Sequence, residues 1–466
     1  MTDETAFFDG EALALWLHCL WCDQGMAHAL QVYSTLDPTR PAGLALFDYG
    51  ADQLLRSRVL TLEQSAPAVA KLVNYLFQQG RSHIDYVVIS HQDGDHWSLL
   101  RYFLDFIETT EIPLTVGKVV YGGSGWGDGA IRLINRLGQY TANRGTDVVR
   151  QAVYYSDYAF GVPNILGHLG DVYFHTVVAQ APTPRAPSPA MFKNGTSTVV
   201  AITFGPVNFI LPGDATWETL TAANTILERL SQTPFADTEM MSVPHHGSLS
   251  TLVLGTQAAG EGLAIAARFT GFCRPKSTVT SAGSSNQNKH PYLEVIETFS
   301  QYVEEGGIGD EPHQFVAYDS RIPGWAEQPP TLRNIYTTVL THGGNPIWVT
   351  NWNFWVHRDG TRGTTFDPPF EGVTKGTLNN MEFDDGQVDT WWEYYEDDDL
   401  VLFMERARAE MPSEFFATMP EGSLLFSYQL PGQPEVRRPI KSRAERERAG
   451  LRHRVKARRQ SGAVEG

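Results

Sequence analysis

The run His91-Gln92-Asp93-Gly94-Asp95-His96 packs four side chains able to bind a metal ion into six residues, and few folds use such density except at a site. It follows directly on Asp85-Tyr86-Val87-Val88-Ile89-Ser90, a nearly continuous apolar stretch of the kind a strand shows when both faces are covered. Imidazoles and carboxylates placed where a strand ends and a loop begins can converge on one point. Gly94 lets the backbone curl around what they hold. A solvated polar loop is the competing reading of the run taken alone.

Two further strand ends carry matching chemistry. Gly213-Asp214 follows the apolar Phe209-Ile210-Leu211, and Pro244-His245-His246-Gly247-Ser248 follows Met241-Ser242-Val243. Separately, an Asp after Gly is an ordinary turn former and a His pair an ordinary surface feature. Their succession after the first cluster is what argues for a site. The residue pattern predicts strands at 14–22, 27–33 and 44–48, a helix at 66–79 stopped by Gly80, a strand at 85–90 and a helix at 97–107. A second series follows: strands at 172–178, 197–204 and 207–211, a helix at 219–230 and a strand at 238–243. Each half runs through strands, a polar strand end and a helix, which predicts an α/β chain built as an αββα sandwich. APTPRAPSP at 181–189 reads as a Pro-rich loop, and 341–358 as late strands at the edge of the main domain.

The cluster Ser90-His91-x-Asp93-x-Asp95-His96 resembles the metallo-β-lactamase signature HxHxDH with its second His replaced by Asp. More narrowly, the chain is similar to the soluble nuclease-like domain of ComEC-type DNA-uptake proteins, over roughly residues 10–360. The resemblance rests on Asp23-Gln24-Gly25, Asp48-x-Gly50, Asn194-Gly195-Thr196-Ser197, Leu211-Pro212-Gly213-Asp214, Val243-Pro244-His245-His246-Gly247-Ser248, and Ser281-Ala282-Gly283 followed by Asn288-Lys289-His290-Pro291. It implies an αββα sandwich holding two divalent cations. Asp95, His96 and one of the pair His245/His246, taken as His246, would hold one ion. His91 and Asp93 would hold the other, with Asp214 bridging. The family's third imidazole on the first metal has no matching position; His168 and His175 are the residues to test, each with a structural role as its alternative.

A carboxylate is a harder ligand than an imidazole, so Asp93 shifts the preference from zinc toward manganese, with magnesium also admitted. A water between two cations loses a proton near neutral pH and becomes a nucleophile toward a phosphoryl phosphorus or a carbonyl carbon. Asp214 would position it, and His290, or whichever of His245 and His246 is not bound to metal, would give the leaving group its proton. Ser248 and Asn288 are candidates for hydrogen bonds to substrate oxygens. The expected function is a metal-dependent phosphodiesterase or nuclease acting on nucleic acid, a nucleotide or another phosphodiester. Two alternatives stand beside it: hydrolysis of a thioester or lactam, and a non-catalytic interaction module on the same fold.

Charge bears on the partner. The chain carries a formal net charge of −17, which argues against a surface that binds nucleic acid throughout. Yet 437–459 holds eleven Lys or Arg against Glu445 and Glu447 alone, a tail able to follow a phosphate backbone or to remain solvated. The expected division is a hydrolase domain at 1–360, an acidic, aromatic-rich extension at 361–435 that offers a surface to a protein partner, and a flexible basic tail at 436–466. Cys19-x-x-Cys22 lacks the second pair of a structural zinc site and reads as buried strand. Three cysteines build no disulfide framework, the segment at 13–21 lacks the basic flank of a signal peptide, and no stretch is long enough to span a membrane. A cytoplasmic protein is therefore expected.

Overall fold

The computed structural model describes residues 8–22, 25–51, 67–80, 82–143, 147–150, 164–183, 188–229, 235, 238–252, 260–281, 290–304, 314–321, 324–327, 334–341, 347–349 and 351–367. Asn288, the stretch 342–346 within the expected late strands, nearly all of the acidic-aromatic extension and the whole basic tail lie outside the described residues.

Strands β1 (Ala12–Cys19), β2 (Ala27–Ser34), β3 (Pro41–Tyr49), β4 (His83–Ile89), β5 (Thr115–Tyr121) and β6 (Val148–Arg150) lie side by side in chain order. A second sheet uses β7 (Asn164–Leu169), β8 (Val172–Val178), β9 (Val199–Phe204), β10 (Val207–Leu211), β11 (Thr238–Ser242) and β12 (Ser277–Thr280), with β15 (Ile335–Thr337) at its edge. β13 (Gln314–Asp319), β14 (Gly324–Glu327), β16 (Val339–Thr341) and β17 (Ile347–Val349) form a small third sheet. The late strands β18 (Trp352–His357) and β19 (Arg362–Phe366) return to the first sheet, where β18 pairs antiparallel with β1. That sheet therefore runs on through Phe366, past position 360.

Pairing is parallel from β3 through β6 and from β10 through β12 to β15. These connections carry α1 (Pro67–Gln79), α2 (Ser98–Thr110) and α3 (Asp128–Gly138) in the first half and α5 (Trp217–Arg229), α6 (Gly260–Cys273) and α7 (Leu293–Phe299) in the second, while the short α4 (Pro189–Gly195) lies between the antiparallel β8 and β9. Alternation along a strand divides its side chains between layers. In β9, Val200 and Ile202 face the first sheet's Leu17, Leu30 and Val88, while Val199 and Ala201 pack with Leu220, Ile226 and Phe269 of the helices behind. In β4, Val87 and Ile89 face the other way, onto Leu72 of α1 and Phe103 of α2. The result is a helix–sheet–sheet–helix sandwich with two sheets face to face, as the strand order of the sequence predicts. Phe174 from the second sheet fixes their spacing, with its ring 5.2 Å from Phe47 and 5.3 Å from Tyr86 of the first, both edge-on.

Cys19, Cys22 and Cys273 are buried, and none is in a disulfide. Among the described residues no helix is long and apolar enough to cross a membrane.

Candidate metal centre

The chain leaving β3, β4, β10, β11 and β12 is stitched together at one end of the sandwich. Thr198 N donates to Ser90 O (3.0 Å), His245 N to Gly213 O (3.0 Å) and Met26 N to Asp95 O (2.9 Å). Two glycines make this closeness sterically permissible. A Cβ on Gly50 would lie within 2.5 Å of the backbone nitrogens of His96 and Trp97, and Gly213 (φ +57°) turns where a Cβ would meet the Ser90 side chain at 2.6 Å. His245 (φ 51°) and His246 (φ 54°) both adopt the left-handed region, as does Asp48 (φ 47°). Such residues cost on the order of 1–3 kcal/mol each and persist where the surroundings impose them.

The stitching brings distant side chains together. Asp95, His96, Asp214 and His246 each present one ligand atom, all within 4.8 Å of one another. His96 Nε2 lies 2.9 Å and His246 Nε2 3.5 Å from Asp214 Oδ1, and His246 Nε2 lies 3.2 Å from Asp95 Oδ2. The other oxygen of Asp214 faces a second pair of rings, His91 Nε2 at 3.6 Å and His245 Nε2 at 3.5 Å. Asp93 flanks His91, with its Oδ2 3.9 Å from Nε2. The ring of His290 is 5.8 Å from that of His245 and stacks at 6.4 Å on His246.

Each of three imidazoles is held from behind. His96 Nδ1–H donates to Asp48 Oδ2 (2.9 Å), His246 Nδ1–H to the Ser281 carbonyl (2.9 Å), and His91 Nδ1–H to Ser90 Oγ (3.1 Å). Ser90 in turn donates its hydroxyl (2.8 Å) and backbone N–H (2.7 Å) to Asp48. These bonds leave Nε2 of all three rings turned inward as a lone pair, the form a metal ligand needs. The three Nε2 atoms and Asp214 Oδ1 are buried, and despite their short separations none has a hydrogen bond of acceptable geometry among the described residues. Buried polar atoms so placed carry a desolvation cost of about 1–3 kcal/mol each, which a cation shared by His96, Asp214 and His246 would remove for those three. The donor set therefore fits a divalent ion.

Charge is arranged accordingly. Burial works against the Asp214 carboxylate, but His96, His245 and His246 hold its pKa well below the usual range. Burial likewise opposes ionised Asp95, yet the neighbouring rings of His96 and His246 bring it down to about 2. Against its own burial, His96 is raised well above the ordinary imidazole value by Asp214, Asp48 and Asp95. Burial and then the neighbouring rings His245 and His246 push His290 well below it. Protons would compete with a cation for the same ring nitrogens, so acid should release a bound ion.

Other residues singled out in the sequence sit differently. His175 Nε2 meets Thr203 Oγ1 (3.0 Å) and His168 Nδ1 the Gly170 carbonyl (3.0 Å). Both lie on β7 and β8, away from the donor set. Ser248 is buried and its hydroxyl caps the turn at Leu249–Thr251, 2.8 Å from Ser250 Oγ, which lies 3.1 Å from His245 Nδ1. Asp48, Ser250 and Lys193, which approaches Asp93 at 3.2 Å, have roles that sequence reasoning did not assign. Asp48 is the nearest to having been found, since it ends a strand as Asp214 nearly does. Replacing it by Asn should weaken divalent-metal affinity about 10–100-fold without unfolding the chain; a calorimetric titration that shows unchanged affinity would refute its supporting role.

No protein-family model and no curated protein matches the sequence. Among solved structures, the chain is similar to the metallo-beta-lactamase fold protein YhfI from Bacillus subtilis, 11% identical over 62% of this chain and 94% of that one, with a TM-score of 0.34. It is also similar to a variant of the CmlA beta-hydroxylase (13% identity, 60% of this chain, 47% of that one, TM-score 0.31). A third is a diphosphatase of the PhnP family (14%, 58% and 87%, TM-score 0.27). At these identities and TM-scores the likeness lends no chemistry to this chain.

Proposed function

We propose that this protein is a metal-dependent hydrolase of the metallo-β-lactamase type that cleaves phosphodiesters, with a nucleic acid or nucleotide as its substrate, akin to the soluble domain of ComEC-type proteins. The observation that supports it most is the convergence of buried, inward-turned donor atoms from His96, Asp214 and His246 on one point beside Asp95. Those four residues would hold a divalent cation, manganese or zinc by the mixture of oxygen and nitrogen donors. A cation bound there supplies Lewis acidity, lowering the pKa of water and neutralising charge that builds on a phosphoryl oxygen.

The chain's own groups do the rest. Asp214 Oδ2, between His91 and His245, is positioned to orient an attacking water and accept its proton. His290 borders the centre beside His245 and His246 and, neutral in that setting, would serve the leaving group as a hydrogen-bond donor through its ring N–H. His245 is steadied for this work by Ser250 on one nitrogen and by Asn194 on the other. Three carboxylates at the centre and the ammonium of Lys193 at its margin suit an anionic substrate that arrives with a counter-cation better than a neutral lactam.

Chelator-stripped protein, incubated with bis(p-nitrophenyl) phosphate, plasmid, RNA and cyclic nucleotides, should turn over at least one of them only when manganese or zinc is restored. Hydrolysis of a thioester or lactam with no metal-dependent turnover of any phosphodiester would refute the substrate class.

A further inference from the structure

Lys193 sits where the sequence leads one to expect a second ion. Its Nζ is 3.2 Å from Asp93 Oδ1, and the residue is fixed from behind. Thr196 donates its backbone N–H (3.1 Å) and its hydroxyl (2.7 Å) to the Lys193 carbonyl, and Thr196 Oγ1 accepts from Ser124 N (3.0 Å). α4, whose first turn is capped by the Ser188 hydroxyl accepting from Met191 N, is thereby tied to the loop that follows β5. The lysine stem runs beside Gly125 of that loop.

The donors on this side are also looser than those around Asp214 Oδ1. His91 Nε2 is 3.6 Å from Asp214 Oδ2 and 3.9 Å from Asp93 Oδ2. The imidazole that would complete the set, His245, has its Nε2 engaged by Asn194 Nδ2 at 2.9 Å. Turning that amide over would exchange donor for acceptor and leave the nitrogen engaged.

We propose that the Lys193 ammonium takes the electrostatic place of a second cation, so that the centre binds one divalent ion tightly, at Asp95, His96, Asp214 and His246, and not two. The carboxylates of Asp93, Asp95 and Asp214 that face the centre are matched by one dication and one ammonium. A second dication would have to share Asp93 with an ammonium already in contact with it, and like charges that close repel each other, by an amount that the partial exposure of Lys193 and Asp93 tempers. The inference rests on reading the Asp95–Asp214 set as a metal site, and not on the identity of the substrate.

Manganese titrated calorimetrically into the chelator-stripped full chain, with bound metal counted by mass spectrometry after gel filtration, tests it directly. Wild type should take one tight equivalent. Lys193→Ala should take two, the second at least about tenfold tighter than any second ion on wild type. Lys193→Arg, which keeps the charge, should remain at one. Two tight equivalents on wild type, or a single one on Lys193→Ala with its melting curve intact, overturns the proposal. Wild type that binds no manganese overturns the metal centre beneath it too. One equivalent on wild type and two on Lys193→Ala, without cleavage of any phosphodiester, upholds the lysine's role and sinks the substrate reading alone.

Discussion

Asp214→Asn should lose its bound cation and slow phosphodiester turnover by about 10³-fold or more, roughly 4 kcal/mol of barrier, while the chain stays folded. The expectation follows from the position of the two carboxylate oxygens. Oδ1 lies 2.9 and 3.5 Å from His96 and His246, and Oδ2 lies 3.6 and 3.5 Å from His91 and His245. One side chain thus serves both halves of the centre, and its charge is what lets buried imidazoles keep their lone pairs directed at a shared point. Asparagine preserves shape and halves the acceptors, so a folding defect is not the cause of any loss. Metal content and kcat measured on the same preparation decide it: full occupancy with unaltered turnover would remove Asp214 from the site.

Saturating manganese should raise the melting temperature of the stripped protein by several degrees. Ligands that bind only the folded chain stabilise it by about 2.7 kcal/mol at a hundredfold excess over Kd, and a domain of this size gains about 1–2 °C per kcal/mol. Here the selectivity for the folded state is built in, because Asp95 and His246 are brought to 3.2 Å from positions far apart in sequence, and an unfolded chain offers no such set. Excess chelator should reverse the shift. Identical melting curves with and without the metal would show that the donors hold no ion.

Much of this was legible in the residues because the site is made of strand ends. A strand covered on both faces announces itself as an apolar run, and the first polar residue after it marks where the chain reaches the rim. His91, Asp214 and His245 all stand within a few residues of such a run, after β4, β10 and β11. The late strands near 352–357 were also visible from their aromatic residues, though not their partner, because nothing local tells β18 that it will pair with β1. Other features hid for physical reasons. The start of α3 follows Gly122-Gly123-Ser124-Gly125-Trp126-Gly127, a composition that reads as loop, and α6 is too uniformly small and apolar to show a face. Lys193 meets Asp93 across a separation of 100 residues, a contact that only the folded sandwich reveals. The family pattern calls for a third imidazole on the first metal, and neither His168 nor His175 lies in the donor set. Their hydroxyl and carbonyl partners on β7 to β9 instead account for both rings within the sheet.

The partners that hold the imidazoles from behind differ in kind, and this bears on how such a centre can change over generations. His246 leans on the carbonyl of residue 281, an acceptor present whatever side chain is encoded there. His96 leans on the carboxylate of Asp48, which a single codon change alters. Descendants of this chain can thus retune their grip on the ion at position 48, whereas the support beneath His246 is written into the main chain and passes unaltered through any substitution that keeps the backbone path.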